Sequence, residues 1–320
     1  MTDQTILVIG AGSIGERHVR NLKELGVRNI VVLRSRRLPL RTISEDELTI
    51  VTSFDEGMQY EPIAAVICTP TSMHMEQALQ CLTRGLSVLV EKPLSHSTES
   101  LDKLESAARE NGCFLQVGYM MRFHPLLLRV KEHINRRDFG GLVHAASHWG
   151  EYLPDWHPWE DYRESYAARK DLGGGAGLTL SHDLDVALWM LGDSADAVSI
   201  NKNTGSSLEV DVEVAVDVLL RNKEGITATV HQNFFERIPR RFYTYLFDTA
   251  RLHLDYFGNQ LTICQHDKED EIIQLHNFDR NDMFLDQSRD FIRRLNTPED
   301  WKNYTTKQIS GSRRLLNALK

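Results

Sequence analysis

The chain has 320 residues, 41% of them hydrophobic and 26% charged, enough for two domains with substantial cores and ordinary for a globular protein. Its 37 Lys and Arg stand against 45 Asp and Glu, and the formal net charge of −8 argues against nucleic acid as a main partner. Cys68, Cys81, Cys113 and Cys264 form no Cys-x-x-Cys pair and have no metal-ligand spacing, no apolar run approaches the roughly 18–20 residues that cross a bilayer, and no signal peptide is evident, so a cytoplasmic protein without a metal site is expected.

The first 120 residues alternate short apolar strands with helices. Strands are expected at Ile6–Ile9, Ile30–Leu33, Ala64–Cys68, Ser87–Val90 and Phe114–Val117, and helices at Ile14–Leu25, His74–Arg84 and Thr98–Asn111. This alternation predicts a doubly wound, parallel Rossmann sheet. After the first strand comes Gly10-Ala-Gly12-Ser13-Ile14-Gly15, then a helix. The glycines permit a tight turn, close approach of backbone to a pyrophosphate and close helix–strand packing, and the helix N-terminus favours the phosphates. A dinucleotide is therefore expected on Gly10, Gly12, Ser13, Ile14 and Gly15. The second strand ends in Arg34-Ser35-Arg36-Arg37, with no carboxylate for ribose hydroxyls. Guanidinium groups and a hydroxyl at Arg34, Ser35 and Arg36 suit a 2′-phosphate, so NADP is favoured over NAD. The alternative is a solvated Arg36-Arg37 loop, with Arg34 stacked on adenine.

Two later strand ends carry polar residues: Thr69-Pro70-Thr-Ser-Met-His74, and Glu91-Lys92-Pro93, where the peptide before Pro93 is a candidate for cis. Tyr119–Pro125 contains Arg122, a candidate substrate or cofactor contact, and a helix follows at about Leu126–Arg136. Strands are then expected at Val143–Trp149, Ala197–Asn203, Glu209–Arg221, Ile226–Phe235, Tyr243–Asp248, Ala250–Tyr256, Asn259–Cys264 and Glu271–Leu275, with helices at about Met283–Leu295 and Thr305–Leu319. Consecutive hairpins predict a C-terminal α+β domain on one large, mostly antiparallel sheet. The expected division is residues 1–120 for dinucleotide binding and 121–320 for substrate binding and oligomerisation. A cleft is expected at the carboxyl ends of the parallel strands.

Gly173-Gly-Gly-Ala-Gly leads to Ser181-His182-Asp183-Leu-Asp185 and a helix to about Leu191. Leu184, Ala187, Leu188 and Leu191 fall on one core stripe, while His182, Asp185 and Trp189 share another face that can point into the cleft. Ser181 is the expected N-cap. The competing readings are a satisfied core histidine for His182 and a helix-dipole role for Asp183. The segment Trp149–Lys170 holds three of the five tryptophans and three tyrosines. Tyr152 and Trp156 are candidates to stack on a sugar, and Arg163 and Arg169, with Lys170, to hold a carboxylate or phosphate. An interface loop is the alternative.

The N-terminal glycines, the strand-end Glu91-Lys92-Pro93 and the downstream Gly-Gly…His182-x-x-Asp185 together resemble the Gfo/Idh/MocA oxidoreductases, the glucose–fructose oxidoreductase and inositol dehydrogenase family, over nearly the whole chain. The resemblance implies that Lys92 is the acid/base or polariser, that His182 assists it, and that Thr69, Pro70, His74, Glu91 and Lys92 line the cofactor. Tyr152–Pro158 is similar to members acting in acidic-sugar and surface-polysaccharide pathways. Leu178 stands where many members carry a substrate-contacting aspartate. The reading is an NAD(P)-dependent enzyme that moves a hydride between nicotinamide and a sugar hydroxyl or keto group, with Lys92 and His182 handling the proton, on an acidic or nucleotide-linked sugar. The alternatives are a non-catalytic nucleotide sensor and a redox-neutral epimerase or hydrolase that retains its cofactor. A homodimer or homotetramer is expected, since a broad sheet usually buries its outer face.

Overall fold

In the computed structural model, which describes residues 4–35 and 39–320, the chain forms two compact units. The first comprises Met1–Met120 and Arg280–Ser312, the second Met121–Asp279 and Arg313–Lys320.

Uninterrupted apolar runs make the first sheet. β1 (Thr5–Ile9), β2 (Asn29–Leu33), β3 (Thr49–Val51), β4 (Ala64–Ile67), β5 (Ser87–Val90) and β6 (Leu115–Val117) pair in parallel in the order β3-β2-β1-β4-β5-β6. Ala64 to Ile67 are fully buried, as strands covered on both faces must be. The order reverses between β1 and β4, the place where such sheets receive ligands. The connections carry α1 (Ser13–Glu24), α2 (Phe54–Met58), α3 (Thr71–Thr83) and α4 (Leu101–Glu110). Sequence reading passes over β3 and α2, which have three and five residues and too little length for periodicity to register. α3 begins at Thr71 rather than His74 because Pro70 occupies its N-cap, and α4 begins at Leu101 rather than Thr98 because Ser100 has φ 62°.

The second unit opens with α5 (Pro125–Arg136), capped by the His124 imidazole accepting from Leu126 N–H. β7 (Leu142–Gly150), α6 (Ala176–Thr179) and α7 (His182–Leu191) follow. Then come β8 (Asp196–Asn203), β9 (Ala215–Arg221), β10 (Thr227–Asn233), β11 (Arg240–Phe247), β12 (Ala250–Asp255), β13 (Gln260–Gln265) and β14 (Glu271–Gln274). They form an eight-stranded sheet in the order β14-β13-β12-β11-β7-β10-β9-β8. All its pairs are antiparallel except β7 with β10, which lie parallel because α6, α7 and two strands separate them in the chain. The expected strand from Glu209 starts only at Ala215. In β11, Arg241, Tyr243, Tyr245 and Phe247 face the core while Phe242, Thr244 and Leu246 alternate outward. α7 packs on β7 and β10.

One expectation needs correction: the C-terminal helices do not all belong to the second domain. α8 (Arg280–Leu295) and α9 (Trp301–Ala318) up to Ser312 fall in the first unit. The reason is aromatic packing: Phe291 and Trp301 set their rings 5.3 Å from that of Phe114, and Tyr304 sets its ring 6.0 Å away. Among the described residues no helix is long and apolar enough to cross a membrane, and no group of three or more His, Cys, Asp and Glu could hold a metal.

Candidate active site

The turn after β1 requires glycine at two of its three glycine positions, where nothing larger fits. Gly10 has φ +94°, and a Cβ there would lie 3.0 Å from the Cys68 carbonyl carbon and oxygen. A Cβ on Gly15 would lie 2.1 Å from the Gly10 carbonyl oxygen, so α1 can start directly beneath the strand end only with glycine. At Gly12 a Cβ would meet nothing within 4 Å, and no side chain caps α1. An open N-terminus beside an empty approach fits a dinucleotide pyrophosphate. Ser13 and Ile14 are the first two residues of that helix.

Beyond β2, Arg34 is only 7% exposed, and its Nη1 donates to Glu45 Oε1 at 2.7 Å. A carboxylate thus does reach the strand end, from the 3-10 turn at Glu45–Glu47, 11 positions along the chain. Ser35 is exposed, and Arg36 lies outside the described residues. Glu16 on α1 accepts from the Arg41 and Thr42 backbone N–H groups and from the Thr42 hydroxyl. Burial alone would raise its carboxyl, but these bonds hold it below the usual range.

At the end of β5, His18 Nε2 lies 2.8 Å from Glu91 Oε1, and Lys92 N–H donates to Glu91 Oε2 at 3.2 Å. Burial acts to raise the Glu91 carboxyl, yet His18 and the Lys92 charge bring it below the ordinary range. The Lys92–Pro93 peptide is cis. His74, 1% exposed, sets Nδ1 2.8 Å from the Pro93 carbonyl and Nε2 2.8 Å from the Thr69 carbonyl. Thr69 donates its hydroxyl to Gln77, and Pro70 is exposed. The structure therefore gathers Glu91, Lys92, Thr69 and His74 around one turn, with both ring nitrogens of His74 directed at backbone.

In the second unit every residue of α7 except Trp189 is buried. His182, 4% exposed, opens the helix with its ring 6.2 Å from that of Trp149. Ser181 precedes it but makes no capping bond with its side chain. Asp185 receives Arg122 through two bonds, 2.9 Å from Nε and 2.8 Å from Nη2. These two site candidates thus form one bidentate pair. Asp183 is fully buried and accepts from Arg241 at 2.6 Å. Arg241 also donates to the Tyr243 hydroxyl at 2.9 Å, and its guanidinium lies 3.9 Å over Trp149 and 4.7 Å over Tyr256. Burial pushes the Asp183 carboxyl up against the pull of Arg241.

The aromatic segment does not act as one cluster. Tyr152 lies beneath the Arg237 guanidinium at 3.6 Å, and Trp156 packs edge-on against Phe234 at 5.5 Å. Arg163 is exposed and pairs with Asp161 and Glu209, while Arg169 pairs with Asp171. Sequence reading missed Glu16, His18, Glu45 and Arg241. For His18 a signal existed, a histidine on the first turns of the helix that follows the glycine turn; for the others only tertiary contact reveals the pairing.

Residues 4–119 match the family described as "Oxidoreductase family, NAD-binding Rossmann fold", and residues 127–253 match the "GFO/IDH/MocA C-terminal domain". An inositol 2-dehydrogenase of Rhodococcus erythropolis is 29% identical over 216 residues, 64% of this chain and 58% of that protein. Two other relatives align over 39% and 57% of their own length, so the chain spans about half the length of these curated relatives. Among solved structures, the 3-ketoreductase KijD10 from Actinomadura kijaniata, in complex with NADP and TDP-benzene, superposes with a TM-score of 0.81 at 20% identity. That match covers 98% of this chain and 96% of KijD10. The UDP-N-acetylglucosamine 3-dehydrogenase GnnA from Acidithiobacillus ferrooxidans gives 0.78 at 21% identity, covering 98% and 95%. At these identities the structures speak for the fold.

Proposed function

The chain belongs to the Gfo/Idh/MocA oxidoreductase family, and on that premise we propose that it is an NAD(P)-dependent dehydrogenase or reductase of a sugar or sugar derivative. The observation that carries the reading is the Glu91-Lys92-Pro93 turn, with Glu91 locked to His18 at 2.8 Å on the phosphate-binding helix. One buried pair thus links the backbone that would hold the dinucleotide to the residue that would handle the proton.

Gly10, Gly12, Ser13, Ile14 and Gly15 would hold the pyrophosphate, and a bound nicotinamide supplies the hydride acceptor or donor. Lys92 does the complementary work. In oxidation its neutral amine takes the hydroxyl proton as the C–H bond breaks and the C=O bond forms; in reduction its ammonium returns a proton to the oxygen. From the second unit we assign to substrate contact His182, as a group to orient a hydroxyl, and the Arg122–Asp185 pair, as a fixed guanidinium for polar substituents. Glu91 stays ionised, an acceptor anchored to α1.

For substrate we favour a nucleotide-linked or acidic sugar. KijD10 and GnnA, named for ketoreduction and for a UDP-sugar, support the choice of first compounds to test. For cofactor we favour NADP through Arg34, which must then share or exchange Glu45; that carboxylate is 56% exposed and free to turn away. We also read the outer sheet face, with Leu246 and Ile272 exposed, as meeting a second copy of the chain. A monomer in light scattering at micromolar concentration would refute that.

The deciding experiment is fluorescence titration with NADPH and NADH, followed by turnover assays with UDP- and TDP-linked keto sugars. NADPH binding with consumption in one of these assays is the expected result. Binding of neither nucleotide overturns the reading.

A further inference from the structure

We propose that His74 is a positioning residue for Lys92: a buried imidazolium that donates from both ring nitrogens and ties two strand-end loops together. The inference rests on the reading of Lys92 as the proton-handling group.

The geometry is a bridge. His74 lies in the second turn of α3, five residues after Thr69, so its ring can reach back to the Thr69 carbonyl at 2.8 Å. The other nitrogen meets the Pro93 carbonyl, also at 2.8 Å. Thr69 ends the loop after β4, and Pro93 follows Lys92 directly. One ring therefore pins the chain immediately beyond Lys92 to the neighbouring strand end. With Glu91 held by His18 on the other side, Lys92 sits between two residues whose partners are fixed.

Carbonyl oxygens only accept. A neutral imidazole carries one N–H, so one of the two 2.8 Å contacts would set a nitrogen lone pair against an oxygen lone pair. Turning the ring by half a rotation puts carbon atoms in both places and loses both bonds. Only the doubly protonated ring satisfies both carbonyls. Burial works against the charge and pushes the imidazole below its ordinary range, and the Lys92 cation adds to that; the two carbonyls and the Glu91 carboxylate oppose it. These are the charged groups that act on the ring. We give the acceptors the deciding weight, because a buried hydrogen bond from a charged donor is about twice as strong as a neutral one.

Two consequences follow for Lys92. Its backbone is held by a side chain that need not touch the nucleotide. It also has a fixed positive neighbour, which opposes its charged form, against the ionised Glu91, which favours that form.

The test reads protonation rather than turnover, so it stays separate from the question of substrate. The full chain is labelled with 15N-histidine and examined by long-range 1H–15N NMR at about pH 7.5, where a solvated imidazole is mostly neutral. His74 is identified by its loss in His74→Gln. If that variant does not fold, nuclear Overhauser contacts to Pro93 in the unaltered protein identify it. The expected result is a ring protonated at both nitrogens; a single neutral tautomer overturns the proposal. In a second arm, 13C-lysine protein is titrated, with Lys92 assigned through Lys92→Arg. His74→Gln is expected to raise the apparent pKa of Lys92 by about half a unit or more, as removal of a like charge requires. An unmoved Lys92 titration also overturns the proposal, and a merely structural histidine would leave it unmoved.

Discussion

The Lys92 turn in the first unit and the start of α7 in the second both keep polar groups out of water, by different means. At the turn, two histidines supply the partners: His18 for the Glu91 carboxylate, His74 for two backbone carbonyls. At α7, two arginines from elsewhere in the fold pair with Asp183 and Asp185. The first arrangement holds a backbone segment in place around a residue kept for chemistry. In the second, the Asp183–Arg241 pair neutralises charge inside a core, where an unpaired ion would be costly. Damage to the turn should therefore appear mainly in function, and damage to the Asp183–Arg241 pair mainly in stability.

The largest expected effect is on catalysis. Lys92→Ala should lower kcat by about 10²–10⁴-fold, the usual worth of a positioned acid/base, with NADPH affinity retained in fluorescence titration. His182→Asn should cost less, because a residue that orients the hydroxyl leaves proton transfer to Lys92. If His182→Asn proves as damaging as Lys92→Ala, the roles are shared equally and the contrast between the two regions fails.

Next comes stability. Asp183→Ala leaves Arg241 buried without its carboxylate and should lower the unfolding free energy by about 3–5 kcal/mol in urea denaturation. Adding Arg241→Met removes the stranded charge and should recover much of the loss. If the single variant unfolds at the wild-type urea midpoint, the pair carries no such weight.

The pH dependence sharpens the same comparison. Glu91 has its folded-state carboxyl held below the ordinary value of 4.5, against burial, by His18 and Lys92. Its contribution is then fully present above the unfolded value and lost as pH falls through the lower folded one. Wild-type Tm should fall across that acid window, and Glu91→Gln should show a flatter fall there. Parallel curves would mean that Glu91 ionises alike in both states.

These contrasts also explain what the sequence could tell. The Gly10–Gly15 turn is legible because its glycine spacing, between a strand and a helix, is itself the signal: Gly15 is forced by the Gly10 carbonyl five residues before it, although Gly10 is crowded by Cys68 across the sheet. The bounds of α7 follow from its apolar stripe and the Gly192 beyond it. Partners resist such reading. Asp183 and Arg241 are 58 positions apart, and the first-turn position of Asp183 is explained equally well by the helix dipole. Asp185 shares a helical face with His182, which suggests a free carboxylate until Arg122, 63 positions away, occupies both its oxygens. The docking of α8 and α9 on Phe114 is of the same kind: periodicity finds the helices, but nothing in it names the surface they cover.

The smallest expected effect concerns cofactor choice, and it turns on a partner of this hidden sort. The second strand ends in arginine with no acid in the motif position, yet Glu45 pairs with Arg34 at 2.7 Å. If Arg34 selects the 2′-phosphate, the phosphate and Glu45 compete for one guanidinium. Arg34→Asp combined with Arg36→Ala should weaken NADPH by about tenfold, some 1.4 kcal/mol, and NADH far less. Glu45→Ala should act in the opposite direction, tightening NADPH by a few-fold, because the guanidinium no longer gives up a carboxylate to meet the phosphate. The two titrations together separate the explanations. Equal weakening of both nucleotides by the arginine changes would make Arg34 a stacking residue for adenine, and an unchanged NADPH affinity in Glu45→Ala would remove Glu45 as the competitor.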